Sequence, residues 1–216
     1  MEIGNWKLEI GAKEINMARY TGPKDRQSRS VGFDLFGKGA KLTRVNVPPG
    51  AHGNRRSSRS ASEYSKQLKE KQKVKMLYGV LETQFANYAQ KALKRQGNTG
   101  EQLLSYLEKR LDNVIYRLGF APNRFSARQL VGHGHVFVNS KKVNIPSYSV
   151  KKEDIITLSK KGANIPYISI LLNNKEYKTP SWLQRKGAVG KVVGNPNRSD
   201  IVEPISEQDI VEFYSR

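Results

Sequence analysis

The chain has 216 residues, of which 38 are lysine or arginine and 19 are acidic, so its formal net charge is +19 at pH 7. So large a positive charge opposes compaction of an isolated protein and favours association with a dense polyanion, most simply a nucleic acid. No stretch approaches the roughly 18 apolar residues of a membrane span, and the absence of cysteine excludes disulfides and thiol chemistry.

The positive charge is unevenly distributed along the chain. Between Arg19 and Lys75 there are 15 basic and four acidic residues, whereas the segment from Asp200 onward holds five acids and one basic residue, Arg216. A protein that binds a membrane surface through uniform positive charge would not have this distribution. We therefore expect a nucleic-acid partner, no membrane and no small-molecule substrate.

Residues 1–16 differ in composition from the basic region that follows. They carry two basic and three acidic residues, and they lack the Arg-rich, acid-poor composition of a transit peptide and the apolar core of a secretory signal. We interpret them as an N-terminal extension, or as the product of an upstream start codon with Met17 as the true beginning. The missing targeting signal predicts a cytoplasmic protein.

The segment from Thr21 to Ser62 is rich in glycine, proline, serine and basic residues and poor in aliphatic ones. Alone it cannot bury enough apolar surface to offset its ordering entropy. We predict an arm that becomes ordered only against RNA, in which Arg55, Arg56 and Arg59 contact phosphates. A flexible, merely solubilising tail is the alternative.

Two helices are predicted after the arm. Ser62 is the expected N-cap of the first, the apolar spacing between Leu77 and Leu93 indicates the second, and Gly79 separates them. Tyr64 and Tyr78 could stack on bases, but aromatic residues at helical spacing more often belong to the core.

A ten-residue stretch of the first of these helices, from Lys66 to Lys75, contains five lysines and a single acid, Glu70. This density favours a surface that follows a nucleic-acid backbone over simple helix stabilisation. The predicted RNA contacts on this helix are Lys66, Lys69, Lys71 and Lys73.

Apolar residues at three- and four-residue spacing predict an amphipathic helix from about Glu101 to Leu118, with a Thr99–Gln102 capping box at its start and Gly119 at its end. Asn123 is the predicted N-cap of a second helix, which the turn at Gly132 to Gly134 ends.

The hydrophobic period then changes from 3.6 to two, which predicts a β-hairpin. Val136 to Val138 form its first strand, Asn139-Ser140 its turn, and Val143 and Ile145 lie on the return strand. Ile155 to Leu158 supply a third strand.

Basic side chains remain opposite the apolar face of this unit. Arg124 and Arg128 lie four residues apart, where like charges repel by about 0.2–0.5 kcal/mol, and their helix contains no acid. We prefer a nucleic-acid-contacting face to a merely solvated one. The predicted RNA contacts of the unit are Arg110, Arg117, Arg124, Arg128, His133, Lys141 and Lys142. Asp112 is interpreted as a partner that orients an arginine, not as a general base.

Beyond Lys161, an apolar run from Ile165 to Leu172 leads to a Gly-rich tail. Ser206 with Asp209 indicates the start of a last helix. We expect this helix to dock on the rest of the protein, because so short a helix is not stable alone.

The helices and hairpin between Arg110 and Leu158 resemble the RNA-binding motif of the small-subunit ribosomal protein S-four family. Further blocks are similar to that family in the same order along the chain: MARYTGP, PPGAHG, EYSKQLKEKQKVKMLYGVLETQF, GNTGE and IVEFYSR. The motif alone also occurs in several RNA-modifying enzymes, whereas the ordered blocks are specific to the ribosomal family.

The resemblance implies an α+β fold. A helical N-terminal domain is expected to be completed by the C-terminal tail, whose last helix returns to the N-terminal helices, and an RNA-binding domain of helices on a small antiparallel sheet, an αL motif, is expected to be inserted in it. The predicted boundaries are 1–16 for the extension, 17–97 with 180–216 for the arm and helical domain, and 98–179 for the inserted domain.

The resemblance also implies a structural constituent of the small ribosomal subunit. This would be a primary binder of 16S-type rRNA that nucleates assembly at a multi-helix junction and contributes to translational accuracy. It would lie near the pore through which messenger RNA enters, beside ribosomal proteins S-three and S-five.

We expect no enzymatic activity. A pseudouridine synthase or a tyrosyl-tRNA synthetase with the same motif needs a catalytic domain for which this chain has no room. A heat-shock-type RNA chaperone, the other alternative, lacks the N-terminal blocks found here.

We also predict no cofactor and no metal. Some members of the family carry a Cys-rich zinc site near the N-terminus, whereas the region from Arg19 to Gly50 offers no thiolate. The candidates His52, His133 and His135 do not supply the three or four convergent ligands of a stable site.

Overall fold

The computed structural model describes residues 20–39, 42–51, 62–174 and 177–215. The helices in these ranges are α1 Lys24–Val31, α2 Glu63–Leu77, α3 Glu82–Leu93, α4 Thr99–Glu108, α5 Leu111–Arg117, α6 Arg124–Gly132, α7 Lys160–Ala163, α8 Pro166–Asn173 and α9 Glu207–Ser215. The strands are β1 Val136–Val138, β2 Lys141–Lys142, β3 Ile155–Leu158, β4 Leu183–Lys186 and β5 Val189–Val192. The α+β class is confirmed. None of the described helices is long and apolar enough to cross a membrane.

The first hydrophobic core lies among α2, α3, α4 and α9, which together we call the first lobe. Each helix contributes fully buried side chains, among them Val74, Phe85, Leu107 and Ile210. Gln67 of α2 donates a hydrogen bond to Glu212 of α9 at 2.8 Å, and Tyr214 donates to Glu82 of α3 at 3.2 Å. The last helix therefore docks on the N-terminal helices, as expected.

The second core lies between α5, α6 and one face of an antiparallel sheet with strand order β2-β1-β3-β5-β4, and we call this unit the second lobe. Val138 and Ile156 are buried and lie opposite each other on β1 and β3, and Gly190 of β5 lies opposite Ile156. Because side chains alternate along a strand, the neighbouring Phe137 and Thr157 point to the outer face.

Strands β4 and β5 lie at the start of the predicted Gly-rich tail. Both strands are short and Gly190 interrupts the apolar pattern of β5, which is why the pattern is weak in the sequence. Residues 182, 183 and 192 belong to the second core, whereas 201, 205 and 210 belong to the first. The domain boundaries given above stay predictions.

The helix caps and the third strand agree with the sequence. Ser62 accepts a hydrogen bond from the backbone N–H of Ser65 at 3.3 Å, and Asn123 accepts one from Ser126 at 2.9 Å. The break between α2 and α3 spans Gly79, and β3 has the predicted bounds.

The prediction of one helix from Glu101 to Leu118 is wrong. The chain is extended at Arg110, with φ −68° and ψ 137°, and Arg110 forms an antiparallel bridge with Ser149. This pairing with a distant segment separates α4 from α5, and periodicity along the helix does not report it. The N-cap of α4 is Asn98, not Thr99, since the Asn98 side chain accepts from Gly100 N at 3.1 Å.

The return strand of the hairpin also differs from the prediction. It comprises Lys141–Lys142, which pair with Val138 and Phe137, and it ends before Val143 and Ile145. Val143 still packs against the second core.

Gly190 generates the first prediction, because a Cβ at this position would overlap the side chain of Leu118 in the second core. We expect Gly190→Ala to lower the free energy of unfolding by about 1–3 kcal/mol, the usual effect of overpacking. Urea unfolding followed by circular dichroism measures it.

The matched control is Gly132→Ala at the end of α6, where an added Cβ meets nothing within 4 Å. It should leave stability unchanged or raise it slightly. Equal effects of the two substitutions would contradict the packing described for Gly190.

Candidate nucleic-acid interface

Four arginines predicted to face RNA are turned towards the interior. Their exposed fractions are 1% for Arg110, 8% for Arg117, 9% for Arg124 and 7% for Arg128. Burial of an unpaired guanidinium is costly, so each of these groups needs partners inside the protein. The expectation of an outward-facing arginine surface here is therefore wrong.

Glu108, at the end of α4, is the central acceptor of this buried network. Its carboxylate is 1% exposed and accepts a hydrogen bond from the Tyr78 hydroxyl at 2.6 Å and one from Asn113 Nδ2 at 2.7 Å. Arg117 donates to it through Nε at 3.0 Å and Nη2 at 2.8 Å. Glu108 and Tyr78 belong to the first lobe and Asn113 and Arg117 to the second, so the network joins the lobes.

Glu203 extends the network from the segment that precedes α9. Its two carboxylate oxygens accept from Arg117 Nη2 at 2.8 Å and Arg124 Nη2 at 2.6 Å. Arg124 also donates to Asn113 Oδ1 at 2.8 Å, and its guanidinium lies 4.6 Å from the ring centroid of Tyr116. Arg124 is thus held by a carboxylate, an amide and an aromatic ring.

Asp112 is the third acid of the network and, like Glu108, it is buried. It pairs with Arg110 through two hydrogen bonds of 3.1 and 2.7 Å, and Arg110 also donates to the Tyr88 hydroxyl at 3.1 Å. Arg128 lies 4.0 Å from Asp112 and donates to the carbonyl of Gly79 at 2.8 Å. The interpretation of Asp112 as a partner that orients an arginine agrees with this geometry.

The electrostatics of the network follow from its geometry. Burial alone raises the pKa of the Glu203 carboxyl, but Arg124 and Arg117 outweigh it and lower the pKa to about 2. Burial alone lowers the pKa of Arg117, but its hydrogen bonds to Glu108 outweigh burial and raise the pKa above its usual value. Burial and the Glu108 charge raise the pKa of Tyr78 well above its usual value. All three groups keep their ordinary charge at pH 7.

Helix α2 carries more internal pairing than its sequence indicates. Lys71 is 6% exposed and pairs with Glu82 at 2.6 Å, and Lys73 pairs with Glu70 at 3.1 Å. Lys66 pairs with Glu63 at 3.2 Å but remains largely exposed. Glu82 lies on the next helix, so a count of acids along α2 alone does not include it.

Lys69 differs from these lysines because it is exposed and has no ion pair within the ranges that the structure describes. Tyr78 is 3% exposed and belongs to the core, as predicted for both tyrosines. Tyr64 is 52% exposed, lies beside Phe213 and does not belong to the core.

The second lobe displays its cations around the sheet. His133, Lys141 and Lys142 are exposed and, among the described residues, form no ion pair. Other exposed cations of this lobe lie outside the set of predicted contacts, and they are Lys151, Lys152, Lys160, Lys161, Lys186 and Lys191. The adjacent lysines at 151–152 and 160–161 are visible in the sequence. Lys186 and Lys191 join this surface only because strands β4 and β5 belong to the sheet.

The remaining predicted contacts, Arg55, Arg56 and Arg59, lie outside the described residues, as does His52. Within the described ranges, no group of three or more histidine, cysteine or acidic side chains could hold a metal ion. The ring centroids of His133 and His135 are 6.3 Å apart.

Comparison with known proteins extends over both lobes. A family model described as "Ribosomal protein S4/S9 N-terminal domain" matches residues 19–108, and one described as "S4 domain" matches residues 109–156. The small ribosomal subunit protein uS4 of Amoebophilus asiaticus is 50% identical over 202 residues, which cover 93% of this chain and 100% of that protein. The uS4 proteins of Parabacteroides distasonis and Chloroflexus aurantiacus are 49% and 48% identical with the same coverage.

The buried network predicts a large loss of stability when its central acceptor is neutralised. We expect Glu108→Gln to lower the free energy of unfolding by about 3–5 kcal/mol, because the substitution leaves Arg117 buried without its full counter-charge. Chemical denaturation at pH 7 measures the change. Glu63→Gln removes an exposed pair and is the matched control, with an expected loss below about 1 kcal/mol.

Acid should weaken the link between the lobes. The folded-state pKa of Glu203, about 2, lies below its ordinary value of 4.5, so its contribution is complete above pH 4.5 and is lost as the pH falls through about 2. We expect Glu203→Gln to be less stable than the unchanged protein at pH 7 and the difference to shrink between about pH 5 and 2. A pH-independent difference would contradict the described pairing.

Proposed function

Because the chain belongs to the uS4 family of small ribosomal subunit proteins, we propose that it is a primary binder of 16S-type rRNA in the cytoplasmic ribosome. A member of this family is a structural ribosomal protein and not an enzyme. The observation that carries the proposal is the match over 93% of this chain and the full length of its relatives.

The arrangement of charge supports RNA as the partner. Three acids offset most of the charge of the four buried arginines inside the protein, so the surplus charge is left mainly on exposed lysines. A-form RNA is recognised mostly through its shape, phosphates and ribose hydroxyls, which flexible surface cations suit. Lys66, Lys69, Lys141, Lys142 and His133 remain the proposed contacts that the structure exposes.

The proposed preference for a multi-helix junction follows from the rigid connection between the lobes. The Glu108 and Glu203 networks hold the exposed lysines of α2 at a fixed position relative to those of the sheet. Two cationic surfaces at fixed separation bind RNA helices that already have a matching angle more tightly than an isolated duplex. Binding of this kind stabilises the folded junction, which is the proposed role in nucleating subunit assembly.

The finer roles are part of the same proposal. We propose neighbours S-three and S-five, a position near the pore through which messenger RNA enters the subunit, and a contribution to translational accuracy. The arm with Arg55, Arg56 and Arg59 is proposed to contact rRNA phosphates. Arg110, Arg117, Arg124, Arg128, Lys71 and Lys73 would act indirectly, by holding the lobes and helices that carry the exposed cations.

Strand β2 of the second lobe consists of two exposed lysines, Lys141 and Lys142, whose removal tests RNA binding. We expect the double substitution Lys141→Gln and Lys142→Gln to weaken binding to a transcribed small-subunit rRNA junction and to reduce the slope of log K against log salt by about 1.5, at roughly 0.7–0.9 per lost phosphate contact. Filter-binding titrations between low and high salt measure both quantities.

The control is Lys75→Gln, which removes one charge from a lysine that pairs with Glu82 at 2.8 Å. It should alter the slope less than half as much. Equal affinity of the unchanged protein for the junction and for a plain duplex, or its removal from small subunits by a high-salt wash, would overturn the proposed function.

A further inference from the structure

The outer face of the sheet has an unusual pattern of residues for a solvent-exposed surface. Phe137, Thr157 and Val189 lie directly opposite one another on β1, β3 and β5. The register continues to Lys142 on β2 and to Lys186 on β4. One row across all five strands therefore reads Lys142, Phe137, Thr157, Val189, Lys186, and we call it the outer row.

The apolar members of this face are not used by either core. Val189 is 42% exposed and Ile155, next to the row on β3, is 45% exposed. Phe137 is partly exposed and, like these two, does not belong to the second core or to the side chains packed against it. Large apolar side chains grouped on a charged surface commonly mark a binding site.

The charge on this face indicates which partner it fits. Within the described residues, the five strands contain no acid, while lysines stand at both ends of the outer row and at Lys191 beside Ile155. Glu153, in the preceding turn, pairs with Lys191 at 2.6 Å. A protein partner would have to be both apolar and strongly acidic, whereas unpaired RNA combines flat apolar bases with phosphates.

The dimensions of the row agree with a short nucleotide segment. Neighbouring strands are about 4.8 Å apart, so the row spans about 19 Å between its outermost Cα atoms. Sheets of similar width in other RNA-binding domains stack two or three bases on aromatic side chains. Aromatic stacking between cations is also the usual means of binding single strands without sequence preference.

From these observations we infer that the outer face of the sheet binds about two or three unpaired RNA nucleotides, with a base stacked on Phe137 and phosphates paired with Lys142 and Lys186. This inference rests on the proposed function and deepens it, because it assigns single-stranded RNA to one face. The paired helices of a junction would contact the cations elsewhere on the two lobes.

The test uses the full chain and two probes, a ten-nucleotide single-stranded RNA and a duplex RNA of ten base pairs. Fluorescence anisotropy titrations should show that Phe137→Leu weakens single-strand binding by about 5- to 100-fold, the usual effect of losing one stacked base, and leaves duplex binding unchanged. The control Tyr167→Leu removes an aromatic side chain that is 42% exposed on α8, outside the row, and should change neither.

A second variant tests the inference even if Phe137→Leu impairs folding. The exposed pair Lys142→Gln with Lys186→Gln should reduce the salt slope for the single strand by about 1.4, whereas Lys160→Gln with Lys161→Gln, an equal loss of charge on α7, should leave it unchanged. Single-strand binding that is insensitive to both Phe137→Leu and the row double variant would overturn the inference.

A measurement in assembled small subunits distinguishes RNA from protein as the partner that contacts this face. Ultraviolet crosslinking should attach a nucleotide to the tryptic peptide from Gln129 to Lys141, which contains Phe137. Crosslinks from Lys142 and Lys186 to another protein, without this nucleotide adduct, would overturn the inference. The proposed function would survive that outcome as long as the unchanged chain still prefers the rRNA junction to a plain duplex.

Discussion

The carboxylate of Glu108 lies out of water where the two cores meet, and it accepts hydrogen bonds from Tyr78, Asn113 and Arg117. Without it the Tyr78 hydroxyl would lose its acceptor and Arg117 would keep only its hydrogen bond to Glu203, because the surrounding side chains are almost fully buried. A buried charge with several donors is sensitive to position, so it fixes the orientation of the elements that supply them. The geometry of the two lobes depends on this group.

Arginine and lysine have different roles in this chain. The buried network uses Arg110, Arg117 and Arg124, whose planar guanidinium groups make several hydrogen bonds in fixed directions. The exposed surfaces of α2 and the second lobe carry mainly lysine, a mobile point charge that adapts to phosphates at varied positions. The net charge of the chain therefore does not indicate where the nucleic acid binds until the ion pairs inside the protein have been subtracted.

The sequence predicted the elements whose signals are local. Ser62 and Asn123 cap their helices through neighbours three residues away, and the short run that predicts β3 is complete within four residues. Arg124 was misplaced because its acidic partner is distant, Glu203 being 79 residues away along the chain. The break at Arg110 has the same cause, since its bridge to Ser149 is made across the fold.

The division between buried and exposed charge also determines what RNA can contribute to stability. The Glu108 network is complete within the protein, so the orientation of the lobes does not require a ligand. The unpaired lysines are different, because their mutual repulsion opposes folding until a polyanion approaches. A ligand that binds only the folded state adds to its stability in proportion to the logarithm of its concentration relative to Kd. Neutralisation by rRNA would therefore stabilise a geometry that the buried carboxylates have already set.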